Sequence, residues 1–265
     1  MQHPHILLMK RLILMAFVVL IMCVLIGPQS THSATQLCGK YDSVDVKSSG
    51  KTRFIVQNNI WGASTSQCMA VTGSSFKSTS ANHNKSTSGP PASYPSIYKG
   101  CHWAKCTDQS INPDFPTKVS QIQSVPSSWS VKTPNTSGDA WNVAYDIWFN
   151  KSSYTSGQPN GAELMIWLKS DGGVQPAGTR VGTVSIAGAT WEVWYEHIGW
   201  NYIAYRRTTP TNSINANLMP FINDARSRGY ISNDWYLTAA EAGFEIWKKG
   251  AGLESTSFDV SIKRN

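Results

Sequence analysis

Ala162-Glu163-Leu164-Met165-Ile166-Trp167-Leu168 is the stretch on which the fold turns. Read with a period of two, it puts Glu163, Met165 and Trp167 on one face and Leu164, Ile166 and Leu168 on the other, which is a β-strand with one wholly apolar side. Tyr145-Asp146-Ile147-Trp148-Phe149 repeats the arrangement, with Asp146 and Trp148 turned one way and Tyr145, Ile147 and Phe149 the other. Phe244-Glu245-Ile246-Trp247 does so a third time, Glu245 sharing its face with Trp247. Each strand therefore carries an acid beside a large ring, backed by a face that has to pack on a core.

Outward from these segments, further strand patterns run over 53–58, 141–149, 180–186, 190–197, 200–206, 237–247 and 257–262, separated by Gly, Asn, Asp or Pro. Their spacing predicts an all-β sandwich or jelly roll of two stacked, mainly antiparallel sheets. One segment breaks the period: Leu218, Phe221, Ile222 and Ala225 form a single apolar stripe over 217–229, a helix ending at Gly229 and packed on the outer face of a sheet. The Ser/Thr/Asn/Gly/Pro-rich stretch 72–95 reads as long surface loops. With no repeat, charge block or Pro-rich linker between 35 and 265, those residues are expected to form a single domain.

Lys10 and Arg11 precede an apolar run from Leu12 to Ile26, then Gly27-Pro28 and the small residues around Ser33-Ala34. That is the pattern of a secretory signal peptide over 1–34. The run is shorter than the ~20 residues that span a bilayer, so no membrane association is expected after cleavage. The mature protein is expected to be extracellular. Cleavage would also remove Cys23 and leave Cys38, Cys68, Cys101 and Cys106, an even number bound for an oxidising compartment. Four cysteines allow three connectivities, and proximity favours Cys38 with Cys68 and Cys101 with Cys106. A zinc site does not fit, because the spacing is not a repeated CxxC and His83, His102 and His197 stand far apart in sequence; no metal or cofactor is expected.

The chain of 265 residues is 41% hydrophobic and 15% charged, with 11 Trp, 10 Tyr and 8 Phe. That composition is globular and excludes a disordered chain. Its net charge of +7 becomes +5 without Lys10 and Arg11. The remaining cations are scattered, apart from Arg206-Arg207 and Lys248-Lys249, which argues against a nucleic-acid partner. There is no P-loop, GxGxxG, HExxH or GxSxG, so side chains alone must carry any chemistry.

For one strand, an acid beside a ring can be an ordinary solvated face. Three such strands are different: a solvated face would carry Lys, Thr and Ser, whereas exposed rings cost roughly 25 cal/mol per Å² unless a ligand covers them. Sugars are suitable ligands, since their C–H faces pack on Trp and Tyr while their hydroxyls need carboxylates and Asn. Two carboxylates across such a groove are also the minimum for glycoside hydrolysis, one protonating the leaving oxygen and one attacking or stabilising the anomeric carbon.

These residues, with Asn58-Asn59-Ile60-Trp61-Gly62-Ala63, Tyr94-Pro95-Ser96-Ile97 and Cys101-His102-Trp103-Ala104-Lys105-Cys106, resemble glycoside hydrolase family 12 over nearly the whole chain from Cys38 onward. The resemblance implies a β-jelly-roll and a secreted, retaining endo-β-1,4-glucanase acting on cellulose and related β-glucans, and the protein is expected to work without cofactor and as a monomer. It implies Glu163 as nucleophile, Glu245 as general acid/base and Asp146 as a partner hydrogen-bonded to the nucleophile. Asn59 and Trp61 would bind glucosyl units on the non-reducing side, Met165 would line the reacting subsite, Trp247 would flank the leaving side, and Tyr41 matches a stacking platform. Two other readings share these features: a xyloglucan-specific endoglucanase on the same fold, and a non-catalytic glucan-binding module that keeps the aromatic groove.

Overall fold

The computed structural model describes residues 33–265. The expected signal peptide, but for its last two residues, lies outside the described residues. What is described is overwhelmingly β, with one α-helix, Met219–Ser227.

Two sheets stack face to face. The larger is 12-stranded, and its main path runs Thr179–Ile186, Ala189–His197, Asn201–Arg207, Ala162–Asp171, Ala140–Asn150, Tyr236–Gly243, Ser96–His102, Lys51–Gln57 and Ser43–Ser48. The smaller has six strands, in the order Thr35–Leu37, Gln67–Thr72, Ser75–Ala81, Glu254–Val260, Pro126–Lys132 and Ser213–Asn217. All described pairings are antiparallel except one, in which Ala162–Asp171 runs parallel to Asn201–Arg207.

The apolar faces expected from alternation are the ones that meet between the sheets. Tyr145, Ile147 and Phe149, together with Leu164, Ile166 and Leu168, join Phe54, Trp129, Phe244 and Phe258 in the main core. The opposite face of the large sheet is not simply solvated. Met165, Trp167, Tyr202, Ala204 and Trp247 form a second apolar cluster there, and every residue of Ala140–Asn150 is buried.

The helix stripe of Phe221, Ile222 and Ala225 is fully buried. It packs on the large sheet, where Phe221 meets Trp191 edge-on at 4.9 Å and Tyr205 at 5.2 Å. Gly229, just past the helix, has φ +81°, the left-handed conformation that glycine adopts without strain.

Two boundaries differ from the sequence reading. The stretch 72–95 is not all loop, because Ser75–Ala81 is a strand of the small sheet. One of its inward positions is the buried Ser78, which blunts the apolar alternation. The expected strand over 237–247 breaks after Gly243, where a Cβ would stand 2.3 Å from the Pro95 carbonyl oxygen, and Ile246–Lys248 pairs separately with Ala140–Asn150. Cys38 is bonded to Cys68 and Cys101 to Cys106, the second pair closing a small hairpin that ends in Trp103 and Ala104.

Candidate active site

A cleft of about 1240 Å³ lies across the exposed face of the large sheet. Strand register builds its floor. Asp146 stands opposite Met165 on one side and Glu241 on the other, while Trp148 stands opposite Glu163. Residues in register across neighbouring strands share a face, so Glu163, Asp146 and Glu241 are brought to one surface, and Glu245 joins them from the irregular turn beyond Gly243.

Glu163 and Glu245 are half-buried and line the cleft. The Glu163 Oε2 accepts a hydrogen bond from Trp200 Nε1 at 2.8 Å. Burial, with the nearby Glu241 charge, pushes its carboxyl up to about 7 against the pull of that bond. Glu245 is gripped by the fully buried Asn142: its backbone N–H donates to Asn142 Oδ1 at 2.9 Å, Asn142 Nδ2 donates to its Oε2, and its carbonyl accepts from the Asn142 N–H at 2.9 Å. Burial and the Glu163 charge push the Glu245 carboxyl up to about 8. A carboxyl that keeps its proton near neutrality beside one that can lose it is the division of labour that acid-assisted glycoside cleavage needs.

Asp146 is buried, and its carboxyl is raised well above the usual range by burial and by Glu163, Glu241 and Glu245. The hydrogen bond that family resemblance implies between Asp146 and Glu163 is not formed among the described residues. Asp146 Oδ2 instead accepts from Trp148 Nε1 at 2.9 Å, and Oδ1 has no partner. Two carboxylates repel unless they share a proton, and here each has its own indole donor. Glu241 shares their face but is fully buried, and its oxygens accept from His102 Nδ1 at 2.6 Å, Gln57 Nε2 at 3.2 Å and Ser96 Oγ at 3.2 Å.

The expected binding residues Tyr41, Asn59, Trp61, Met165 and Trp247 all border this cleft. Tyr41 and Trp61 are the exposed rings, 65% and 46% accessible, so their faces are free to stack. Asn59 is buried, with φ +44°, and its carbonyl accepts from the Tyr94 N–H. Met165 is fixed from two sides, its Sδ approached by Trp167 Nε1 at 3.4 Å and Tyr202 OH at 3.3 Å. Trp247 is only 3% accessible, which leaves it little face for stacking. Its Nε1 donates to the Gly89 carbonyl at 2.6 Å and pins the Ser88–Pro91 segment as a wall.

Sequence reasoning passed over Asn142, Trp200, Glu241, His102 and Trp103, of which Trp200, His102 and Trp103 line the cleft directly. Two of the five had a signal. Glu241 is a lone acid in Ala239-Ala240-Glu241-Ala242-Gly243, and Asn142 lies on the Asp146 face four positions earlier. Trp200 had none, because nothing local says that a turn residue will reach another strand's carboxylate.

The profile of glycosyl hydrolase family 12 matches residues 52–263. The chain is 48% identical to the endoglucanase cel12A from Rhodothermus marinus, whose structure it matches with a TM-score of 0.81 over 87% of this chain and 100% of that one. It is 35% identical to the probable cellulase Cel12b of Mycobacterium tuberculosis over 153 residues, 57% of this chain and 99% of that protein. It is 32% identical to the xyloglucan-specific endo-β-1,4-glucanase A of Emericella nidulans over 234 residues, 85% of this chain and 90% of that protein.

Proposed function

Because the chain belongs to glycosyl hydrolase family 12 and is a retaining endo-β-1,4-glucanase, we propose that Glu163 is its nucleophile and Glu245 its general acid/base. Glu163 attacks the anomeric carbon as a carboxylate while Glu245 passes its proton to the departing glycosidic oxygen. Glu245, now a base, then takes a proton from the water that releases the glycosyl-enzyme. The observation that carries the assignment is the pairing of Asn142 with Glu245 and Trp200 with Glu163 in one cleft: each carboxyl is separately held by its own donor, and burial raises the proton affinity of both.

Burial and the neighbouring acids raise the Asp146 carboxyl well above the usual range, so beside Glu163 it holds its proton more tightly than it would in water. Trp61 and Tyr41 stack on glucosyl units along one arm of the cleft, Asn59 supplies polar contacts there, and Met165 lines the reacting subsite. Trp247 acts on the leaving side by holding the wall. Residues 35–265 work as a single secreted catalytic domain and as a monomer, a reading supported by the leader pattern of 1–34 and by two disulfides.

Barley β-glucan, carboxymethyl cellulose, xyloglucan and xylan, assayed side by side with the first product's anomer followed by NMR, test the substrate reading. Fastest turnover of an unbranched glucan with retained configuration is expected. Strong preference for xyloglucan would shift the assignment toward the Emericella nidulans relative's named activity. Glu163→Gln should abolish turnover while leaving glucan binding intact, and near-normal turnover would remove Glu163 from its role. Glu245→Ala should lose far more rate on polysaccharide than on aryl glucosides whose leaving group needs little protonation; equal losses would remove the acid role.

A further inference from the structure

Building on the assignment of Glu163 as nucleophile, we propose that Trp200 is a positioning residue, whose indole N–H holds Glu163 as an ionised carboxylate aimed into the cleft. The parallel pairing makes this contact possible. Glu163 is in register with Tyr202, and Trp200, two residues before Tyr202, sits in the turn at the start of that strand, from which its indole reaches across to Glu163. The junction is tied down: Asn201 N–H donates to the Gly161 carbonyl at 3.1 Å, and Asn201 Nδ2 donates to the Tyr230 carbonyl at 2.8 Å. The Trp200 ring packs against Trp148 at 5.7 Å, and its Nε1 reaches Glu163 Oε2 at 2.8 Å.

No other group in the cleft does this. Asp146, Glu241, Glu245, Tyr202 and Tyr94 are the titratable groups facing Glu163 from the neighbouring strands and loops, and none of them donates a hydrogen bond to it among the described residues. Trp148, the other indole beside it, donates to Asp146 instead. An indole N–H donates and never accepts, and its bond is stronger to a carboxylate than to a neutral acid. It therefore favours the form of Glu163 that attacks. Against burial and the Glu241 charge, this bond is what draws the Glu163 carboxyl down.

The test uses a cello-oligosaccharide 2-deoxy-2-fluoro glycoside with a dinitrophenolate leaving group, which traps the glycosyl-enzyme and needs no proton from Glu245. Trp200→Phe keeps a ring and deletes the N–H. The label should sit on Glu163 in both proteins. In the variant, the acid limb of the labelling rate should move up by roughly one pH unit, slowing labelling about tenfold below the limb and much less above it. An unmoved limb with the label still on Glu163 overturns the role of Trp200. A label on another residue overturns the nucleophile assignment instead. In the unmutated protein, the Trp200 indole proton resonance should titrate with the midpoint of that limb and lose the titration in Glu163→Gln; a resonance indifferent to pH overturns the proposal even if Trp200→Phe does not fold.

Discussion

Asn142 shows how one uncharged side chain can set both the place and the proton of a catalytic acid. It accepts the Glu245 backbone N–H and donates to the Glu245 carboxylate, so it fixes main chain and side chain together at a point where the strand has just broken. Asn142→Ala removes both bonds. Because the lost donor favoured the ionised form, the Glu245 carboxyl should rise further, and the alkaline limb of the kcat profile should move to higher pH. The acid would also be less well aimed, so kcat on β-glucan should fall about tenfold or more with KM little changed. Paired kcat and KM measurements across pH check this; a KM effect alone would assign Asn142 to substrate binding.

At the scale of elements, period-two alternation made the catalytic face legible, because in 141–149 and 162–168 every second residue was apolar enough to declare the core side. It held even through the break after Gly243: Phe244 and Ile246 go to the core, while Glu245 and Trp247 go to the cleft. Ser75–Ala81 was hidden by an inward serine, and the contacts of Trp200 and His102 were hidden because they depend on which distant strands lie side by side. The cleft wall formed by 88–91 was illegible for the same reason, although its support is simple. Gly62 lets two backbones approach: a Cβ there would stand 2.1 Å from the Pro91 carbonyl oxygen, while Lys85 Nζ bridges the Gly62 carbonyl at 2.8 Å and the Pro91 carbonyl at 3.3 Å. Gly62→Ala should push the wall outward, raising KM on β-glucan severalfold and destabilising the fold by about 1 to 3 kcal/mol. Kinetics and denaturant unfolding on the same variant measure both, and an unchanged KM would show that the wall does not touch substrate.

For the whole molecule, the acids gathered in the cleft set activity and stability against each other. Activity requires Glu163 ionised and Glu245 protonated, so kcat/KM should be bell-shaped, falling below about pH 7 as Glu163 takes a proton and above about pH 8 as Glu245 loses one. Stability follows a different sign. The folded protein holds protons on Glu163, Glu245 and Asp146 that the unfolded chain would already have released, so from about pH 4.5 upward the folded state binds more protons. Its stability therefore falls as pH rises through that window, and the fall extends through the pH range where the enzyme is active. Glu163→Gln removes one of the responsible groups. At pH 4 the variant and the unmutated protein should melt within a degree or two of each other, whereas at pH 8 the variant should be more stable by up to about 3 kcal/mol. Calorimetry at the two pH values checks it, and a stability difference that does not grow with pH would mean that the Glu163 charge costs the folded protein nothing, contrary to its place among Asp146, Glu241 and Glu245 on one crowded floor.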